Sequence, residues 1–166
     1  MSAPSKPVVN LADVALEDHR HGQRFAAKIG EVGLALGGTG VGCTYHEVPP
    51  SKRAFPFHVH HVQHELFFIL EGTGTYRFGT DTFPLRAGDV CAAPPGGPER
   101  AHQIINDGPT TLKYLGFSTE MKGAEIVEFP DSGKFVVTMR ADDGATRLFR
   151  FVGRPGSAVD YWDGEE

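Results

Sequence analysis

PFHVHHVQHELFFILEGTGTYRFGTDTFPLRAGDVCAAPPGG, residues 56–97, decides the fold. Read outward from its middle, it holds four short apolar or β-branched runs, at 57–60, 65–71, 75–78 and 89–93. Turn chemistry separates them, at Gly72 and Gly74, at 79–81 and at Gly88-Asp89. Two more strands are predicted after the Pro-Pro-Gly-Gly-Pro loop, at 101–106 and 112–118, and residues 41–48 give another that stops at Pro49-Pro50. Strands at this spacing, with turns between them, predict an all-β sandwich or barrel. The composition agrees. Glycine (21) and proline (12) make about a fifth of the 166 residues, too many breakers for a helical bundle, while 40% hydrophobic content and 12 phenylalanines supply a core that a disordered chain lacks.

Three regions follow from the pattern. Residues 1–22 are a polar, loosely ordered N-terminal arm; 23–120 form the barrel core; 121–166 are a C-terminal extension packing on the barrel. The extension contains a strand pair around a turn at 131–133, a further strand near 147–152, and an aromatic pair, Tyr161-Trp162, expected to anchor the tail. The formal charge of −5 with no basic patch argues against nucleic acid as a partner. Cys43 and Cys91 are far apart, form no CxxC pair and are expected to be free thiols. The N-terminal stretch MSAPSKPVVN has no apolar core, and the longest strongly apolar run is 66–70, so a cytoplasmic protein without a membrane partner is expected.

The chemistry concentrates in histidine. Four of the eight, His58, His60, His61 and His64, fall within seven positions. Alternation along a strand puts His58 and His60 on one face with Val59 opposite. Glu65 opens the next strand, so a hairpin returns its carboxylate beside the two imidazoles, and His102 begins a later strand after the Pro and Gly loop. Three neutral imidazoles and a carboxylate suit one divalent transition metal (Fe, Mn, Zn, Ni or Cu) and leave positions open for a small molecule.

With these residues in place the sequence resembles the cupin superfamily. Its first motif is matched by His58, His60, Glu65 and Gly72, and its second by Gly88, Pro94, Gly96, His102 and Asn106. Lys52 stands where the first motif has a leading glycine, and five residues instead of two separate Gly96 from His102. RAGDVCAAPPGG, HQIIN, PDSGK and YWDGE are similar to segments of small bacterial single-domain cupins, mostly uncharacterised. The resemblance implies a double-stranded β-helix, a jelly-roll β-barrel, with His58, His60, Glu65 and His102 as metal ligands.

Around that centre, Phe67, Ile69, Tyr76, Ile104 and Tyr114 are expected to line a pocket, with Tyr76, Arg77 or Arg100 available to orient an anionic group. His61 faces away from His60, His64 sits in a connection, and His19, His21 and His46 show no partner pattern; these five are read as structural or exposed. A ligating imidazole needs an acceptor on its other nitrogen, for which Gln63, Asn106 or a backbone carbonyl are candidates. Residues 65–71 are apolar on both faces, whereas a solvated sheet would alternate. This predicts a cover from the arm, the tail or a second subunit, hence a homodimer. The function expected is metal-dependent chemistry on a small organic molecule, as a dioxygenase-type oxidoreductase or an isomerase, with a non-catalytic binding or sensor protein as the alternative; catalytic residues and substrate stay unassigned.

Overall fold

The computed structural model describes residues 7–37, 40–120, 122–142 and 146–165. In chain order the strands are β1 (Glu17–His21), β2 (Phe25–Glu31), β3 (Val41–Val48), β4 (Val59–His60), β5 (Glu65–Glu71), β6 (Thr73–Phe78), β7 (Asp81–Arg86), β8 (Val90–Ala93), β9 (His102–Ile105), β10 (Leu112–Thr119), β11 (Gly123–Phe129), β12 (Lys134–Arg140) and β13 (Arg147–Gly153). One short helix, α1 (Val32–Ala35), follows β2. The strands make three antiparallel sheets, ordered β1-β2-β3-β10-β5-β8, β13-β12-β11-β4 and β7-β6-β9. The expected all-β jelly-roll barrel is the architecture observed.

Alternation builds the interior. On β5, Phe67 and Ile69 are buried while Leu66 and Phe68 are 47% and 37% exposed. Ile69 stands opposite Tyr114 of β10, and Tyr76 of β6 stands opposite Ile104 of β9, so facing sheets contribute pairs to one core with Val48, Leu85 and Leu112. Asn106 seals the closed end. Its side chain donates to the carbonyls of Val48 (2.7 Å) and Thr110 (2.8 Å) and accepts from the Gly108 amide (3.0 Å), with no exposure at all. All three of these bonds are to backbone groups.

Several elements differ from the sequence expectation. The arm is not loose throughout: residues 17–21, fully polar and exposed, form β1 by pairing with β2, an edge strand that burial patterning could not reveal. β7 was not among the expected strands; it carries Pro84, and at the outer edge of a sheet that proline removes no ladder donor. Tyr161 and Trp162 pack edge-on against each other at 4.8 Å but are 83% and 69% exposed, so they do not anchor the tail. Among the described residues, neither the arm nor the tail covers Leu66 and Phe68. The C-terminal strands instead join the barrel through β11, where Val127 pairs with His60 and Glu128 with Val59. Cys43 and Cys91 are both free.

The motif glycine at the β5–β6 turn shows why that position is specified. Gly72 has φ of 87°, and an added Cβ would lie 2.7 Å from the Thr111 carbonyl oxygen and 3.1 Å from the Leu112 Cα. Where the first motif's leading glycine is missing, Ser51, beside Lys52, takes a positive φ of 63°. Gly72→Ala is expected to destabilise the fold by about 3 kcal/mol, combining left-handed strain with backbone overlap. Urea unfolding checks it, and a loss below about 1 kcal/mol would show that the turn can relax.

Candidate metal centre

Immediately before β4, His58 forms an antiparallel bridge with His102 of β9, their backbones exchanging two hydrogen bonds: His58 N–H to the His102 carbonyl at 3.1 Å and the reverse at 2.7 Å. The five-residue loop before His102 is held by a 3₁₀ turn at Pro98–Arg100, by Gly79 donating to the Ala101 carbonyl (2.8 Å), and by Gly96 donating to the His60 carbonyl (3.0 Å). Glu65 enters from β5, in the third sheet. Thus all three sheets contribute one side chain or more to a single point.

Around that point the Nε2 atoms of His102, His60 and His58 lie 3.1, 3.6 and 3.8 Å from Glu65 Oε2. His58, His60 and Glu65 offer ligand atoms within 4.8 Å of one another; His102 falls outside that threesome yet approaches the carboxylate most closely. Glu65 Oε2 and His102 Nε2 are buried without a hydrogen-bond partner, their 3.1 Å contact lacking the alignment of one. Buried polar atoms left unpaired are costly. A cation among three imidazole nitrogens and a carboxylate would satisfy them, so the donor set fits a divalent transition metal.

The His58 tautomer is set from outside the point of convergence. His58 Nδ1 donates to the Pro56 carbonyl at 2.8 Å, one of the acceptor types expected, which leaves its Nε2 lone pair facing Glu65. His60 Nδ1 faces Glu125, at 3.8 Å from Oε2. Glu125 of β11 is 1% exposed and accepts from the backbone amides of His61 (2.9 Å), Val62 (3.1 Å) and Gln63 (2.9 Å), so it fixes the whole connection between β4 and β5. Gln63 and Asn106 do not serve the ligands; Gln63 instead bonds the Thr119 carbonyl. Burial would raise the Glu65 and Glu125 carboxyls, but the imidazoles, and for Glu125 the loop amides, outweigh it and hold both below the usual carboxylate range. Burial, with the neighbouring His102 imidazole, lowers His58 to about 4, keeping it neutral as a ligand requires.

A cavity of about 560 Å³ opens over Glu65, His58 and His60. Of the five residues expected to line it, Phe67 does, whereas Ile69, Tyr76, Ile104 and Tyr114 lie in the closed core below. Alternation had assigned the right faces without the depth. The walls come instead from Ile29, Phe55, Pro56, Val127 and Phe129. Arg77 is committed to Asp131 through two hydrogen bonds (2.8 and 3.0 Å) and stacks on Phe57, and Arg100 donates to the Pro95 carbonyl; neither reaches the cavity. His61 and His64 are exposed as expected, with His61 bonded to Glu128 at 2.6 Å.

Two residues escaped the sequence reading. Glu125 shares an inward face with Val127 and Phe129, and an acid at such a position is the signal that was available. His46 was read as structural or exposed, but it is a cavity residue: 2% exposed, stacked on Tyr114 (4.5 Å, 9°) and paired through Nε2 with Thr44 Oγ1 at 2.7 Å.

A family model described as a cupin domain matches residues 44–117, a little under half of the chain. A putative sugar phosphate isomerase from Acidithiobacillus ferrooxidans superposes with a TM-score of 0.78 at 22% identity, covering 93% of this chain and 96% of that one. A sugar phosphate isomerase from Silicibacter pomeroyi gives 0.77 at 19%, covering 95% and 98%. In sequence, the chain is 33% identical over 69 residues to an oxalate-binding protein of Thermotoga maritima, 42% of this chain and 54% of that one. The chain spans about half the length of the curated relatives it matches. Among the described residues no helix is long and apolar enough to cross a membrane.

Burial drives His46 down to about 4. The folded state therefore binds fewer protons than the unfolded chain below the ordinary value of 6.5, so stability present above 6.5 is lost as pH falls toward 4. Between pH 7 and pH 5 the His46→Gln variant should lose about 2 kcal/mol less unfolding free energy than the native chain. Parallel denaturation curves at the two pH values measure this, and identical slopes would mean that His46 takes up its proton while folded.

Proposed function

We propose that His58, His60, Glu65 and His102 together hold one divalent transition metal, and that the chain is a metal-dependent enzyme acting on a small organic molecule in the cavity above it. The observation that carries this reading is the convergence of three imidazole Nε2 atoms on one buried, unpartnered carboxylate oxygen. Once bound, the ion supplies Lewis-acid polarisation or, if iron, redox chemistry with dioxygen. The chain's own residues do the rest. Pro56 and Glu125 orient His58 and His60, and Phe55, Phe67 and Phe129 wall the reacting end from water. Iron favours the dioxygenase-type oxidoreductase, whereas manganese, zinc or nickel favour an isomerase, the activity for which two structural neighbours are named.

Metal analysis of protein purified without a histidine tag tests the centre. One equivalent of metal is expected, and His60→Ala should lower occupancy at least tenfold, as loss of a direct ligand would. Unchanged occupancy would refute the ligand set. Oxygen uptake with candidate phenols or diketones then separates oxygenase from isomerase chemistry, and ligand binding without turnover across such a screen would move the reading to a binding protein.

The outer face of β5 supports a homodimer. Phe68 stands opposite Val90 of β8 and Leu66 opposite Ala92, placing Leu66, Phe68 and the 66% exposed Val90 on one uncovered apolar surface. Light scattering at micromolar concentration should return twice the 18.0 kDa chain mass, and Phe68→Glu should halve it. A monomeric native protein would exclude this arrangement.

A further inference from the structure

We infer that the cavity selects a neutral or cationic ligand with an apolar, ring-sized body, and rejects carboxylate dianions and phosphate esters. The argument begins with strand register. Glu17 stands opposite Ile29, Ile29 opposite His46, and Glu31 opposite Thr44, so Glu17 and Glu31 lie on the cavity-facing side of the six-stranded sheet, at its exposed rim. Both line the cavity, as does Glu65 at its floor. Among the described residues no lysine or arginine lines it.

Two nearby cations are committed elsewhere, Arg77 to Asp131 and Arg100 to the Pro95 carbonyl, and Arg53, whose buried Nε has no hydrogen-bond partner, does not line the cavity. Lys134 stands 4.9 Å from the Phe129 ring but lines a separate groove with Pro130 and Phe135. With a divalent ion at the floor, its two positive charges are fewer than the three carboxylates, Glu17, Glu31 and Glu65, that line the cavity. A dianion entering this space would meet a net negative field in a partly desolvated setting, whereas a neutral or cationic molecule would not.

The walls complete the description. Ile29, Phe55, Phe67, Val127 and Phe129 present apolar surface, and a volume near 560 Å³ accommodates one or two rings. Thr44 and His46 give a small polar edge on one side. The relatives named for sugar phosphate isomerisation and oxalate binding are named for anionic ligands, so the ligand class inferred for this cavity differs from theirs.

The inference deepens the metal-enzyme reading, but its charge argument holds with or without the ion. The test is an NMR titration of zinc-loaded and metal-stripped protein with benzyl alcohol, benzylammonium, benzoate and fructose 6-phosphate, following the amides of Gly116 and Ser118, which line the cavity. Benzyl alcohol and benzylammonium should each bind at least five times tighter than benzoate and fructose 6-phosphate. In the Glu17→Gln/Glu31→Gln double variant that ratio should fall at least threefold, with benzyl alcohol affinity unchanged. Benzoate or fructose 6-phosphate binding as tightly as benzyl alcohol overturns the inference, as does a ratio unmoved in the variant or no binding of either apolar probe. Zinc content of the same samples reports separately on the metal centre: protein that takes up no zinc refutes that reading, while the ranking in metal-stripped protein still decides this one.

Discussion

The paired backbone hydrogen bonds between His58 and His102 are the constraint on which the rest of the site depends. They join the edge of one sheet to the edge of another at the two residues whose imidazoles must meet, so side-chain geometry is inherited from ladder geometry instead of depending on loop conformation. His60 follows two residues along the same strand face, and its carbonyl ties down Gly96 in the loop leading to His102. The residues of the longer loop before His102 are taken up in a 3₁₀ turn fastened at both ends.

Glu125 adds a second layer of control. A carboxylate buried to this degree is tolerable because three backbone amides and an imidazole face it, and together they keep it ionised. In return it makes the 61–63 connection rigid and biases the His60 ring toward the Glu65 side. The Arg77–Asp131 pair, with the guanidinium stacked on Phe57, fastens the far end of the same strand pair to the barrel. The pair is largely solvated, so its contribution is orientation more than stability.

What could be read directly from the chain was whatever depends on local spacing. His58, His60, Glu65 and His102 stood out because strand alternation and fixed turn lengths relate them, and the barrel followed from glycine and proline placement. Features built across the sequence were less legible. Glu125 lies more than sixty residues from the amides it serves, and His46 is defined by Tyr114 on a neighbouring strand. Alternation placed Glu65, Phe67 and Ile69 on one face, but depth along the barrel axis separates the first two, at the cavity, from Ile69, sealed beneath it. Pro84 disguised an edge strand, and the polar β1 carried no burial signal at all.

The segment recognised as a cupin domain, residues 44–117, stops short of both flanks that finish the site. Glu125, Val127 and Phe129 come from beyond it, and Glu17, Ile29 and Glu31 from before it. The domain in this chain is thus not an interchangeable cassette. A graft of that matched stretch alone into another scaffold would carry the donor atoms and leave behind the walls, the rim charge and the buttress under the His60 loop. Divergence among such barrels can accordingly proceed by rewriting the flanks while the inherited centre stays the same, with selectivity and coordination changing on separate parts of the chain.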